Sequence, residues 1–168
     1  MLSRHEDYPD DEETKDVYLQ AHGLAEYPGF GDRHVLIHWR NRRAGSAADT
    51  DHDDNGVVLL QVIQLTGQAG NYSYYAPVVL AFSQSEVTSH TQYHLGQYTR
   101  AQRDEILKIA ETIKYERRSV VNGCRVWTRD LLMEMVARGL LREDKFEEVD
   151  TGVPLVKRRN ELPALEKQ

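Results

Sequence analysis

The class of fold is set by the stretch His34-Val35-Leu36-Ile37-His38-Trp39. Side chains alternate between the two faces of a β-strand, so Val35, Ile37 and Trp39 share one apolar face. The two histidines and the leucine lie on the other face. The stretch therefore predicts a strand whose apolar face covers the core of the domain.

Two apolar segments follow this strand along the chain. Residues 57–65 are apolar except for two glutamines and predict a second strand. Residues 72–82 predict a third strand, with a bulge or an edge position at Pro77 because proline cannot donate a backbone hydrogen bond. Because the connections are short and contain no helix, we expect an antiparallel meander.

The second half of the chain predicts two main helices. Thr99 and Gln102 have the spacing of a capping box, in which each side chain satisfies the backbone N–H of the other. A second helical pattern runs from about Cys124 to Arg138, and Gly139 ends it as a C-terminal cap. The predicted fold class is α+β, with an antiparallel meander sheet of three to five strands packed against two main helices.

The chain of 168 residues fits one domain of ordinary size. Residues 1–16 are polar and acidic, and we expect them to form a mobile arm. Residues 17–153 are predicted to form a single α+β domain that begins with a short strand. Residues 154–168 are expected to be an extended, charged tail, and residues 83–98 show no periodic pattern.

Charge and apolar content argue against several classes of protein. The net charge of −6 disfavours nucleic-acid binding, which needs concentrated positive charge, and the short basic clusters at residues 40–43 and 157–159 are expected to be solvated surface. No apolar run approaches the ~20 residues that cross a bilayer, and no stretch resembles a secretory signal. A single cysteine forms no internal disulfide. We therefore expect a cytoplasmic protein without a membrane span.

The single cysteine, Cys124, follows Asn122 and Gly123 at the predicted start of the second helix. Backbone N–H groups and the helix dipole stabilise a thiolate there, and Arg125 adds a positive charge. Gly123 allows either a close backbone approach or a positive φ. Cys124 is therefore a candidate nucleophile. The alternative is an inert cysteine that fills space as a small apolar residue.

A nucleophilic cysteine needs a base, and His34 and His38 are the candidates. They stand ~13 Å apart along the predicted strand, so only one of them can pair with Cys124. Both are expected to face away from the core, unless the sheet is covered on both faces or bulges near one end. Gln61 or Gln64 on the next strand is the candidate for orienting the imidazole.

Three other patterns have competing explanations. His90 and His94 form a possible metal pair, but no cysteine or acidic residue lies at ligand spacing. Residues 51–56 match the first half of a calcium loop, yet the expected glutamate at its last position is Val62, which favours a simple turn. Tyr74 and its neighbouring tyrosines either line a pocket or pack on the sheet. We expect no metal and no cofactor.

A family resemblance is carried by two short motifs, His38-Trp39 and Gly123-Cys124-Arg125-Val126-Trp127. They are similar to the His-Trp strand and the Gly-Cys-Arg-x-Trp helix start of a family of small uncharacterised fungal proteins. More distantly, the order of a strand histidine before a helix-start cysteine resembles circularly permuted papain-like proteins, which include lecithin:retinol acyltransferase-like and NlpC-type enzymes. The sequence departs from that pattern in one respect, because Gly123 separates Asn122 from the cysteine.

The papain-like resemblance implies thiolate attack on an acyl or amide carbon, with Cys124 as nucleophile and His34 or His38 as base. The leading hypothesis is a cysteine-dependent hydrolase or acyltransferase acting on an amide, ester or thioester of a small molecule or peptide. The predicted binding residues are Arg125, Trp39, Gln61 and Tyr74. The alternatives are a non-catalytic small-molecule or protein-binding domain of the same fold, and a non-hydrolytic isomerase or cyclase of specialised metabolism.

Overall fold

The computed structural model describes residues 3–22, 34–42 and 56–163. Over these residues the chain has an α+β fold, as predicted, with a five-stranded antiparallel sheet, a separate two-stranded sheet and four helices. The strands are β1 (Lys15–Ala21), β2 (Val35–Asn41), β3 (Val57–Ile63), β4 (Leu65–Gln68), β5 (Asn71–Tyr74), β6 (Val79–Ser83) and β7 (Thr91–Tyr98). The helices are α1 (Gln84–Ser89), α2 (Arg100–Thr112), α3 (Cys124–Ala137) and α4 (Glu143–Gly152).

The large sheet has the strand order β6-β3-β2-β1-β7, with β2 at its centre. β2, β3 and β6 are neighbours, as in the meander predicted from residues 34–39, 57–65 and 72–82, but β4 and β5 intervene between β3 and β6 along the chain. Ile37 of β2 pairs with Leu19 of β1 on one side and with Ile63 of β3 on the other. The two edges are β6, which pairs with β3, and β7, which pairs with β1. All these pairs are antiparallel.

The alternation predicted for β2 is confirmed by burial on the two faces of the sheet. Val35, Ile37 and Trp39 are fully buried in the main core, together with apolar residues of α2, α3 and α4. Leu36 points to the opposite face and packs in a second, smaller cluster with apolar residues of β3. The sheet is therefore covered on both faces at this strand.

The two main helices begin where their sequences predict. Thr99 and Gln102 form the capping box of α2, with both reciprocal hydrogen bonds present. Cys124 is the first residue of α3, and Gly123 is its N-cap residue. Gly139 follows the end of α3 with a φ of +73°, a conformation that glycine adopts without steric cost.

The prediction of one strand over residues 72–82 is wrong. The strand is interrupted around Pro77, so that β5 ends at Tyr74 and β6 begins at Val79. β5 pairs only with β4 in the two-stranded sheet, whereas β6 is an edge strand of the large sheet. Proline lacks the N–H that a continuous ladder would need at this position. Residues 83–98, whose sequence shows no periodic pattern, contain the end of β6, α1 and β7.

The acidic segment predicted as an arm contacts the domain through a buried ion pair. Arg103 of α2 is fully buried and donates hydrogen bonds to both carboxylate oxygens of Asp10, each at 2.9 Å. Lys15 donates to the same carboxylate at 2.9 Å. β1 begins at Lys15, so two residues assigned to the arm belong to the sheet. This ion pair connects the N-terminal segment to α2.

The Asp10 carboxylate is the group we expect to contribute most to anchoring this segment. Burial raises its pKa, but the hydrogen bonds and charges of Arg103 and Lys15 outweigh burial, so the pKa lies below its ordinary 3.8. Asp10→Asn leaves Arg103 buried without a counter-charge, and we expect a loss of about 3 kcal/mol in the free energy of unfolding at neutral pH. Urea denaturation measures this loss.

The matched control is Glu12→Gln, because the Glu12 side chain is 88% exposed and such surface charges contribute little. The stabilisation by the charged form of Asp10 is present above its ordinary pKa and is lost as pH falls through the lowered pKa of the folded state. The difference in the free energy of unfolding between Asp10→Asn and the unsubstituted protein should therefore decrease at acidic pH. Equal stability of both variants at neutral pH would show that the ion pair does not anchor the segment.

Candidate active site

Cys124 is held at the first turn of α3 by the packing of the helix beneath it. Trp127, Leu131 and Leu132 of α3 are buried in the main core. The ring centroids of Trp127 and Tyr74 are 5.0 Å apart. α3 contacts β2 and β4, so its N-terminus lies beside the sheet. The Cys124 side chain is partly buried there.

A chain of hydrogen bonds joins Cys124, His34 and Gln64. The Cys124 thiol and the His34 side chain are hydrogen-bonded to each other. His34 Nε2 lies 2.6 Å from Gln64 Oε1, so it donates to the amide oxygen and Nδ1 is the nitrogen left for the thiol. A thiol, an imidazole and an amide oxygen joined in this order have the geometry expected of a nucleophile, its base and a neutral group that orients the base.

Both polar partners lie at the ends of strands. His34 immediately precedes β2, and Gln64 lies between the end of β3 and the start of β4. His34 lies at the end of the β1–β2 ladder, where its backbone oxygen accepts from the His22 N–H at 3.0 Å. From this end of the ladder its ring contacts both His22 and Cys124. From sequence, His34 and His38 are both expected to face away from the core unless the sheet is covered on both faces or bulges near one end. The sheet is covered on both faces, and the His34 ring reaches Cys124 at the edge of the main core.

The pKa of Cys124 lies below its ordinary value of 9.0. Burial raises the pKa of this thiol, because it penalises the charged thiolate. The hydrogen bonds from His34 and from the backbone of Val35, with the positive charges of His34 and Arg125, outweigh burial. The site therefore favours the thiolate.

The pKa of His34 lies above its ordinary value of 6.5. Burial lowers the pKa of the imidazole. The hydrogen bonds to Cys124 and Gln64 and the charge of the thiolate raise this pKa by more than burial lowers it. The opposite pKa shifts of the two partners both move the pair toward its thiolate–imidazolium form.

Gly123 gives room for the close approach of the Tyr72 side chain from β5. A Cβ at this position would lie 2.6 Å from the Tyr72 hydroxyl oxygen. The φ of Gly123 is −101°, in the extended region, so of the two roles expected for this glycine the close approach is the one present. Tyr72 thus lies directly beside the start of α3.

The cavity at Cys124 has a volume of about 340 Å³, within the ~300–1,000 Å³ typical of ligand pockets. It lies between the tip of the β4–β5 hairpin, the start of α3 and the C-terminal segment. Its described lining is His34, Gly67, Gln68, Ala69, Tyr72, Val120, Val121, Gly123, Cys124, Arg125, Val126, Val156 and Arg159. Cys124 and His34 therefore face a space that can hold a substrate.

The C-terminal segment is held at this cavity by Asn122. The Asn122 side chain donates to the backbone oxygen of Arg159 at 2.7 Å and accepts from its backbone N–H at 2.9 Å. Arg158 adds an ion pair to Asp130 of α3 at 2.7 Å. The charged tail predicted from residue 154 therefore includes a wall of the cavity. Tyr72, one of the tyrosines considered for a pocket, lines this cavity. Arg159 lines it as well, although the basic cluster at residues 157–159 is expected from sequence to be solvated surface.

His38 lies on the opposite face of the sheet, away from Cys124. Its Nε2 is hydrogen-bonded at 2.8 Å to Oε1 of Gln92. The Gln92 amide donates to Gln20 and to the backbone oxygen of Val87, which leaves its oxygen to accept from His38. His38 lines a separate cavity of about 520 Å³. Of the two candidate bases, the structure brings His34 to the cysteine.

Of the four predicted binding residues, the structure places one in the lining of the Cys124 cavity. Arg125 lines the Cys124 cavity, whereas Trp39, Gln61 and Tyr74 are not among the described residues that line it. Trp39 is fully buried in the core. Gln61 is buried and donates to the backbone oxygen of Val78. Tyr74 packs against the Trp127 ring.

Other histidines cluster next to His34. The His22 ring stacks on His90 with centroids 4.0 Å apart, and its centroid lies 5.3 Å from that of His34. Burial, with the charges of His90 and His34, lowers the pKa of His22 to about 4. His22 is therefore neutral near neutral pH. His94 pairs with Asp16 at 2.8 Å, apart from His90.

Two further predictions concern metals and membranes. Across residues 3–22, 34–42 and 56–163, no group of three or more histidine, cysteine or acidic side chains could hold a metal ion. The calcium-loop match over residues 51–56 lies, except for Gly56, outside the described residues. Within the same described part, no helix combines the length and apolar character needed to cross a bilayer.

Comparison of the chain with models of protein families, with curated proteins and with solved structures found no match. The resemblances to the fungal family and to permuted papain-like proteins therefore stay predictions. The geometry around Cys124 is the basis on which a function can be proposed.

The contact between Gly123 and Tyr72 can be tested with a double-mutant cycle. Gly123→Ala places a methyl group against the Tyr72 hydroxyl, and overpacking of this kind costs about 1–3 kcal/mol in the free energy of unfolding. In the background of Tyr72→Phe we expect a smaller cost, because the atom nearest to the new Cβ is gone. Chemical denaturation of the four proteins measures the coupling, and a coupling energy of zero would contradict the close approach.

Proposed function

We propose that the protein is a cysteine-dependent hydrolase or acyltransferase that acts on an amide, ester or thioester. Cys124 is the nucleophile, His34 is its base, and Gln64 orients the imidazole. The observation that carries the proposal is the hydrogen-bonded chain Cys124–His34–Gln64, which opens onto a cavity. Nucleophile, base and orienting group within hydrogen-bond reach are the signature of covalent catalysis.

The first half of the reaction forms an acyl-enzyme. The Cys124 thiolate, with its proton on His34, attacks the carbonyl carbon, and the negative charge moves to the carbonyl oxygen. N–H groups in the first turn of α3 are suited to stabilise that oxyanion. As the tetrahedral intermediate collapses, the bond to the leaving group breaks and the His34 imidazolium donates its proton to it. The product is a thioester on Cys124 with neutral His34.

The second half of the reaction releases the acyl group. Neutral His34 accepts a proton from water, in a hydrolase, or from an acceptor amine or alcohol, in an acyltransferase. The activated oxygen or nitrogen attacks the thioester carbon, and the thiolate leaves as His34 remains protonated. Both partners return to the thiolate–imidazolium pair, so one histidine serves as acid and base in turn.

Gln64 has a positioning role in this proposal. Its oxygen accepts from His34 Nε2, which directs the other ring nitrogen to the thiol and favours one orientation of the ring. The neutral Gln64 amide adds no charge to the thiolate–imidazolium pair, whereas a carboxylate at this place would add a negative charge. The order of a histidine before a strand, an orienting residue after the next strand and a cysteine at a later helix start supports a permuted papain-like relationship.

The proposal is tested by trapping the acyl-enzyme with p-nitrophenyl acetate. We expect a burst of one p-nitrophenol per chain and a mass gain of one acetyl group on Cys124, since acylation of a thiolate by an active ester is fast and its hydrolysis is slower. Cys124→Ser abolishes both signals. His34→Ala lowers the acylation rate at least about 100-fold, the typical contribution of a general base.

The matched control is His38→Gln, which removes the other candidate base on the far face of the sheet. We expect its acylation rate to equal that of the unsubstituted protein, once circular dichroism shows that the variant is folded. Absence of an acetylated Cys124, or an equal effect of both histidine substitutions, contradicts the proposed assignment. The first of these results would favour a non-catalytic binding domain.

A further inference from the structure

The cavity at Cys124 is cationic, although the chain as a whole carries a net charge of −6. Two guanidinium groups, those of Arg125 and Arg159, belong to residues that line it. No aspartate or glutamate occurs in its described lining. The local charge is therefore opposite to that of the chain, as expected where an anionic group binds.

Backbone oxygens hold both guanidinium groups. Arg125 Nη1 donates to the backbone oxygen of Pro154 at 3.2 Å, and Arg159 Nη2 donates to that of Val121 at 3.1 Å. Among the described residues, neither arginine forms an ion pair with a carboxylate, whereas their neighbours Arg129 and Arg158 do. A carbonyl fixes the direction of a guanidinium but leaves its charge uncompensated.

The position of Arg159 does not depend on its own side chain. Asn122 binds the backbone N–H and the backbone oxygen of Arg159 in a two-bond clamp. Asn122 is buried, and Ser119 Oγ accepts from its backbone N–H at 2.9 Å. The clamp therefore brings the second arginine to the cavity from a segment 35 residues after Cys124 in the sequence.

We propose that the substrate of this site is an acyl compound with an anionic group close to the scissile carbonyl, bound by Arg125 and Arg159. The inference rests on the proposed function for the reaction, but the recognition of the anion rests only on the cavity. Val120, Val121 and Val156 line the same space and suit a short apolar portion of the substrate. Arg159 is a specificity-determining residue, and Arg125 also favours the thiolate.

Two alkylating reagents of similar size test this charge selection directly. Iodoacetate carries a carboxylate and iodoacetamide is neutral, and each reacts with a thiolate to form a carbon–sulfur bond and release iodide. The ratio of their rates cancels the thiolate fraction of Cys124, because the same thiol reacts with both. At low ionic strength we expect this ratio to be at least about fivefold higher for Cys124 than for N-acetylcysteine amide.

Substitution of Arg159 isolates the cation. Arg159→Gln should lower the ratio about threefold, since one partly screened charge is removed from the cavity, and Arg159→Lys should retain most of it. The matched control is Lys157→Gln, which changes the net charge equally at an exposed residue of the same segment outside the described lining. We expect no change in the ratio for this control.

The outcomes separate the two proposals. A ratio for Cys124 equal to that of N-acetylcysteine amide, or an equal loss in the Arg159 and Lys157 variants, overturns the anion site whether or not Cys124 forms an acyl-enzyme. A raised ratio that falls only in Arg159→Gln supports the anion site. It does so even if p-nitrophenyl acetate fails to acylate Cys124, in which case only the proposed reaction fails.

Discussion

The hydrogen bond between His34 and Cys124 depends on the packing of α3 against the central strand of the sheet. Trp127 and Leu131 are buried in the same core as Ile37 and Trp39, so the start of α3 is held beside the start of β2. The thiol and the imidazole lie on segments 90 residues apart in the sequence. Loss of this packing would separate them, because no local structure joins the two segments.

The chemistry of the site follows from a competition between burial and polar contacts. Burial alone disfavours both charged forms, since it raises the pKa of Cys124 and lowers the pKa of His34. The contacts between the two groups reverse both shifts, with help from the Val35 backbone and from Gln64. A cysteine with the same burial but without the histidine would be an inert thiol. The partner, more than the helix start, distinguishes this cysteine from a packing residue.

The cavity is formed by parts of the chain that are distant in sequence. The β4–β5 hairpin provides one wall, α3 provides Cys124, and the C-terminal segment provides the cationic Arg159. Asn122 has a central place, because it precedes the N-cap residue of α3 and also clamps the backbone of Arg159. The start of α3, with Cys124, and the segment that carries Arg159 are therefore positioned through one short loop.

Periodicity and capping rules predicted much of the fold. The alternation over β2, the capping box of α2 and the start of α3 at Cys124 are local features, and local sequence determines them. The contact of His34 with Cys124 could not be predicted, because His34 lies at the end of the β1–β2 ladder and Cys124 approaches that end from a distant part of the sequence.

The roles of Gln64 and Arg159 were also difficult to predict. In the sequence, Gln61 and Gln64 are equivalent candidates for orienting the imidazole, and only the end of β3 at Ile63 distinguishes Gln64. Arg159 belongs to a basic cluster that resembles ordinary surface, and only its long-range contact with Asn122 places it at the cavity. Contacts between distant segments leave no periodic signal in the sequence.

The measurement that tests the central claim most directly is the pH dependence of the reaction of Cys124 with iodoacetamide. The stabilised thiolate predicts a half-maximal rate at a lower pH than that of N-acetylcysteine amide measured alongside, and a shift of this midpoint to higher pH in His34→Ala. A midpoint at or above that of a free cysteine, or one that His34→Ala does not move, would show that Cys124 and His34 do not form an ion pair.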